Sequence, residues 1–125
     1  MASNGTLRVE LVAADRVVWS GEATQIAART SEGDLGVLVD HAPVLSVLVP
    51  GVVTIHSEGE VVAAVVEEGF LSVAENRVSI LSEDAFLVDE LDPAAVKAEL
   101  EQARADEDEA AVRRAEAKLR GTELA

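Results

Sequence analysis

Glu83-Asp84-Ala85-Phe86-Leu87-Val88-Asp89-Glu90-Leu91-Asp92-Pro93 is the stretch on which the fold turns. Before it the chain is valine-rich and cut by short turns; after it, residues 93–120 are rich in alanine and charge. Asp92 is a good N-cap and Pro93 suits the first helical position, so a helix starts here. Val96, Leu100 and Ala103 then share one helical face, and Val112, Ala115 and Leu119 share a face of a second helix. Asp106, Glu107 and Asp108 form an acidic connector, and Gly121 is expected to end the second helix. Lys97 and Glu101 offer an i,i+4 ion pair. Both apolar stripes are narrow and use small residues. The helices can therefore approach closely as an antiparallel hairpin, but they bury little. Each is about three turns long and marginal alone in water, so the hairpin should lean on the preceding module or on a partner.

Upstream, Leu7, Val9 and Leu11 alternate with Arg8 and Glu10, the pattern of a half-buried strand. Residues 17–19 form a short strand closed by Ser20 and Gly21, residues 24–29 alternate again, and residues 31–34 must turn about Gly33. Residues 35–39 are extended, and Gly36 among them suggests a bulge or a close backbone approach. An irregular patch, residues 40–43, precedes the apolar run 44–49, which Pro50-Gly51 stops. Two hairpins follow. Residues 52–56 and 61–66 flank a polar turn; residues 70–73 and 78–81 flank another, where Asn76 tolerates left-handed geometry. Residues 86–88 add a last strand. The continuous apolar run 61–66 is expected where both faces of a strand are covered. Many short strands with regular turns indicate an antiparallel sandwich or barrel. The fold class is thus α+β: an N-terminal antiparallel β-sandwich, residues 1–88, then a two-helix antiparallel hairpin, residues 89–125.

Composition narrows the function. The 125 residues are 49% apolar, which excludes general disorder, yet only 2% aromatic, so the core must be Val, Leu, Ile and Ala. There is no cysteine, hence no disulfide, thiol nucleophile or thiolate metal site. A formal charge of −14 repels nucleic acid and anionic lipid and favours basic protein partners. Residues 1–6 are polar and lack the apolar stretch of a signal peptide, and no run approaches the roughly 18 apolar residues of a membrane span. Membrane association is expected only through a partner. Of two histidines, His56 reads as an exposed strand residue and His41, near Asp34 and Asp40, as a structural or interface residue. Ser31, Ser46 and Ser72 have no histidine placed to activate them, and no glycine is followed by Gly-Lys-Ser/Thr. Glu67-Glu68 and Asp89-Glu90 read as solvated acids, and Trp19 as a core or sheet-edge packer. No catalytic or metal constellation emerges, so the chain is expected not to be an enzyme.

Three segments, taken together, resemble the epsilon subunit of bacterial F-type ATP synthases. They are Glu32-Gly33-Asp34-Leu35-Gly36-Val37-Leu38 followed by His41-Ala42-Pro43; Val17-Val18-Trp19-Ser20-Gly21; and Gly69-Phe70-Leu71-Ser72-Val73 with Asn76-Arg77-Val78-Ser79-Ile80-Leu81. Leu91-Asp92 stands where that family's two C-terminal helices begin. The resemblance runs in order over nearly the whole chain. It implies a β-sandwich of about ten strands plus two helices, in the central stalk of a proton-translocating ATP synthase. It implies a peripheral place on the cytoplasmic face of the bacterial plasma membrane, where c-ring rotation is coupled to the catalytic head. It further implies contact of Ser31, Glu32, Gly33 and Asp34 with the c-subunit ring, and of His41, Ala42 and Pro43 with the gamma subunit. The hairpin, when extended, would meet the alpha and beta subunits and restrain ATP hydrolysis.

Two departures from the family pattern matter. Some members bind ATP at the hairpin. That pattern begins correctly at Leu91 and Asp92, but Ala95 stands at its arginine, Val96 at its alanine, and Phe86 at an upstream acid. Arg113, Arg114 and Arg120 remain as phosphate contacts. Lacking the forked cation, the chain is expected to bind ATP weakly or not at all and to need no cofactor. Few residues follow Leu119, so the second helix is expected to be short and to inhibit weakly. The alternative reading is a generic acidic β-sandwich protein-interaction module.

Overall fold

Alternation along β1 (Leu7–Ala13) becomes packing: Leu7, Val9, Leu11 and Ala13 are buried while Arg8 and Glu10 face solvent. The computed structural model describes residues 5–124; residues 1–4, part of the polar N-terminal segment read above, and Ala125 lie outside the described residues. After β1 come β2 (Arg16–Ala23), β3 (Gln25–Thr30), β4 (Gly33–Leu38), β5 (Val44–Leu48), β6 (Gly51–Ser57), β7 (Glu60–Val66), β8 (Gly69–Ala74), β9 (Arg77–Ser82) and β10 (Ala85–Leu87). A 3-10 turn, Val88–Glu90, leads into α1 (Pro93–Ala105) and α2 (Glu109–Leu124).

The hydrogen-bonded order is β10-β7-β6-β3-β5-β8-β9-β1-β2, with β4 on the other side of β3. The sheet folds over between β3 and β5, which share a single register pair, Thr30 with Leu48. One layer is β10-β7-β6-β3-β4 and the facing layer is β5-β8-β9-β1-β2. All pairings are antiparallel except β1 with β9, which is parallel. The core between the layers is aliphatic, with Leu7, Leu11, Ile26, Leu48, Ile55, Leu71 and Ile80 fully buried. Each such side chain contributes on the order of 2 kcal/mol. Trp19 packs at its margin over Gly21, where a Cβ would come within 2.8 Å of the indole.

Local chemistry sets the turns. Glu75 and Asn76 both take positive φ (51° and 62°), the geometry of a tight two-residue hairpin. Gly69 lies so close to β9 that a Cβ would overlap the Leu81 carbonyl oxygen at 1.9 Å. Among the described residues, the two buried polar side chains are both engaged: Thr30 Oγ1 donates to the Gly33 carbonyl, and Ser82 Oγ donates to the Asp84 carbonyl.

The structure departs from the sequence expectations in several places. β2 does not close at Ser20 and Gly21 but continues to Ala23. Gly36 marks neither a bulge nor a close approach: the β3–β4 register is unbroken there, and a Cβ at Gly36 would meet nothing within 4 Å. The irregularity falls instead between Leu11 and Val12. Gly121 does not end α2. It is buried inside the helix, which runs 16 residues, Glu109–Leu124. Finally, β7 is covered on both faces only over its second half: residues 64–66 are buried, whereas Val61 is exposed.

The helices form the expected hairpin, stacked as an extra layer. Asp92 caps α1 by accepting from the Ala94 N–H at 3.0 Å, and Asp108 caps α2 by accepting from the Ala111 N–H at 3.1 Å. α2 lies on β6 and β7, and α1 packs on α2. Ala117 and Gly121 rest on Val52, Val65 and Val88, while Val96, Leu100 and Ala103 of α1 are buried. Lys97–Glu101 is not among the ion pairs of the described residues. Two inter-helix pairs form instead, Lys118–Glu99 at 3.0 Å and Arg104–Glu116 at 3.9 Å.

Candidate docking surfaces

The β3–β4 hairpin tip is organised by Thr30. Its hydroxyl donates to the Gly33 carbonyl at 2.7 Å and accepts from the Glu32 N–H at 3.1 Å. Gly33 takes φ +119°, a value L side chains rarely adopt. Ser31, Glu32, Gly33 and Asp34 are all exposed, and Asp34 pairs with Arg29 at 3.2 Å. The loops after β1, β7 and β9 meet the same end of the sandwich. That end thereby gathers Asp15, Glu32, Glu68, Glu83 and Asp84.

His41, Ala42 and Pro43 lie at the opposite end, so the structure does not bring the two expected contact loops together. β4 separates them by its own length, roughly 20 Å at strand rise. The loop is pinned by Asp40, which takes φ 67°. The Asp40 N–H donates to Asn76 Oδ1 at 2.6 Å, and Asn76 Nδ2 donates back to Asp40 Oδ1 at 3.0 Å. His41 Nδ1 lies 2.6 Å from the Ala42 carbonyl and its backbone N–H donates to Leu38 O. This histidine has a structural employment within its loop.

Just inside the acidic end lies a surface the sequence reading missed. Cross-strand register aligns Val47 (β5), Phe70 (β8), Leu81 (β9), Val12 (β1) and Val17 (β2) in one row on the outer face. Directly opposed residues share a face, so these form one apolar stripe across five strands. Phe70 and Leu81 are each 51% exposed, and Leu45 nearby is 71% exposed. The signal was present as apolar residues at outward positions of strands whose inward positions were already apolar. The opposite outer face is covered by α2.

Leu91, Asp92, Arg113 and Arg114 do not converge on a ligand site. Leu91 packs with Val65, Val88 and Ala117; Asp92 caps α1; Arg114 sits 3.8 Å from Glu67; Arg113 faces solvent. Burial holds the Glu67 carboxyl above its ordinary range despite Arg114. A cleft of about 610 Å³ opens by Arg120 and is lined by Arg29, Asp34, Gly51 and Thr54, but by none of those four residues. No group of three or more metal-ligating side chains occurs among the described residues.

Comparison with known proteins fits this architecture. The family described as ATP synthase, Delta/Epsilon chain, beta-sandwich domain matches residues 6–88. The chain is 55% identical over 115 residues to the ATP synthase epsilon chain of Streptomyces avermitilis, covering 91% of this chain and 93% of that one. The chain belongs to the ATP synthase epsilon family. It is also 45% identical to the epsilon chain of Corynebacterium glutamicum (91% and 90% covered) and 43% identical to that of Rhodococcus opacus (95% and 98%). A chain of the Euglena gracilis mitochondrial ATP synthase superposes with TM-score 0.73 at 29% identity, covering 91% of this chain and 75% of that one. A chain from the central stalk and c-ring of the Tetrahymena thermophila enzyme shares the fold, with TM-score 0.63 at 19% identity over 90% and 96% of the chains. As an epsilon chain this is a non-catalytic subunit, a central-stalk component of F-type ATP synthase. No helix of the described residues is long and apolar enough to cross a membrane.

Proposed function

We propose that the sandwich, residues 1–88, clamps the gamma subunit and the c-subunit ring together in the rotor. The hairpin, residues 89–125, restrains ATP hydrolysis when it lifts toward the alpha and beta subunits. The chain does no chemistry and reaches the membrane, at the cytoplasmic face of the bacterial plasma membrane, only through the ring.

The observation that carries this reading is the bare five-strand apolar row centred on Phe70. A contiguous exposed row on a rigid sheet marks a protein interface. The row lies one register step in from the acidic end, and exposed Leu45 continues its face toward the His41-Ala42-Pro43 loop, which supports gamma on this face. The acidic end around Ser31, Glu32, Gly33 and Asp34 supports a basic partner, the polar loops of the ring. Docking on both holds the sandwich by one face and by the end that adjoins it, so that both partners grip the same rigid body.

Co-purification with gamma and the ring tests the assignment. Phe70→Asp with Leu81→Asp should leave a folded chain and abolish gamma capture. Full capture by that variant refutes the gamma face. Failure of the unsubstituted chain to associate with either partner refutes the function.

A further inference from the structure

The two open sides of the sandwich differ. On one side β2 and β10 end their layers and are stitched together. The Arg16 guanidinium donates to the Ala85 carbonyl at 3.3 Å and pairs with Glu90 at 3.0 Å, and β10 is only three residues long. On the other side β4 ends its layer with six residues, Gly33–Leu38, paired only with β3 and in unbroken register. Natural edge strands are blunted by lysine, proline, bulges, short length or a covering helix. β4 has no lysine, proline or bulge, and α2 packs on β6 and β7, beyond β3.

The polar groups on this edge can be identified. Arg29 O accepts from the Val49 N–H, and the Ser31 N–H donates to Val47 O. The odd-numbered residues of β3 therefore turn their backbone groups away from β4, and the even-numbered ones bond to it through Gly33, Leu35 and Val37. It follows that the N–H and C=O of Asp34 and Gly36, and the N–H of Leu38, point outward. Gly36 at the centre has no internal reason to be glycine. A Cβ there meets nothing within 4 Å, and its φ lies outside the left-handed region. What the edge offers is its in-plane row of outward N–H and C=O groups, with Gly36 at its centre. Glu32 and Asp40 border the edge, Asp34 on it is paired with Arg29, and Leu38 is 58% exposed at its end.

We infer that the β4 edge, centred on Gly36, accepts an extended basic segment of the gamma subunit as an added strand. Main-chain hydrogen bonds supply the affinity in such strand addition, and the bordering acids select the charge. The inference rests on the central-stalk reading, because it takes gamma as the partner, and the two can fail separately.

The test uses full-length chain and purified gamma. Hydrogen exchange on the complex should show protection of the Asp34, Gly36 and Leu38 amides, which exchange fast in the free chain. Gly36→Pro removes an outward donor without touching the β3 ladder, and should weaken gamma binding about tenfold. Gly36→Ala keeps the donor and should lose less. If gamma binds while those amides exchange as fast as in the free chain, strand addition is wrong and the stalk assignment survives. If Gly36→Pro is folded and binds as the unsubstituted chain does, strand addition is equally wrong. If Gly36→Pro does not fold, exchange on the unsubstituted complex decides. Absence of any gamma binding overturns both readings.

Discussion

A Cβ on Gly121 would lie 2.6 Å from Val65 Cγ2 and 3.3 Å from Val88 Cγ2. The helix backbone is thus seated directly on the sheet's valines, and the space of one methyl group decides how closely the hairpin docks. Gly121→Ala would gain up to about 1 kcal/mol of helix propensity, but it overpacks a β-branched neighbour that cannot swing aside, at about 1–3 kcal/mol. The net expectation is faster amide exchange across α2 with an unchanged sandwich. Val65→Ala combined with Gly121→Ala should restore protection. Unchanged exchange in Gly121→Ala alone would contradict the seat.

Lys118 ties three elements together. Its Nζ lies 3.0 and 3.2 Å from the Glu99 carboxylate oxygens and 4.7 Å from the centre of the Phe86 ring, with the side chain 14% exposed. Lys118→Met keeps the stem and deletes the charge. A loss of about 1–2 kcal/mol in urea unfolding is expected, with a smaller loss for Glu99→Gln, which leaves the ring contact.

Glu67 and Glu90 should move stability in opposite directions with pH. Burial raises Glu67 above its ordinary 4.5, so its contribution is complete below that value and is lost as pH climbs through the raised pKa. Hydrogen bonds from Arg16 and the Leu87 N–H lower Glu90, so its contribution is complete above 4.5 and is lost as pH falls through the lowered pKa. Thermal unfolding from about pH 3 to about pH 8 should show Glu67→Gln raising Tm near neutrality. Glu90→Gln should lower Tm near neutrality and have little effect at the acid end.

Gly69→Ala should be the most damaging small substitution, because its Cβ would sit 1.9 Å from a backbone oxygen, Leu81 O. A loss of about 3 kcal/mol or more in urea unfolding is expected, since the β8–β9 ladder itself must shift.

ATP should not bind tightly. Asp92 is engaged in capping α1 and Arg114 lies against Glu67. Calorimetry on the full chain should show no saturable heat at low-micromolar nucleotide.

Much of this architecture was legible because the deciding physics is local. Asp92-Pro93 reads as a helix start from two residues, and residues 74–77 as a turn between alternating strands, which the structure tightens to Glu75-Asn76. Gly121 was misread because a glycine near the end of an amphipathic run looks like a C-cap locally. Only the valines of β6, β7 and the 3-10 turn after β10 reveal it as a packing residue. Gly36 failed in the opposite sense: the chain's own fold gives no use for it. The parallel β1–β9 pairing and the apolar row from Val47 to Val17 depend on which strands become neighbours, and no short window of sequence encodes that.

The stacking order of the hairpin sets a sequence of events for any pull on it. The outer helix reaches the sheet by way of the inner one, through a seam of Val96, Leu100, Ala103 and two ion pairs. Yet α1 is also tied to the sandwich through Leu91-Asp92 and to α2 through residues 106–108, so it cannot leave while its companion stays. Once the Gly121 seat gives way, both helices swing out together as a single lever hinged at residues 91–92.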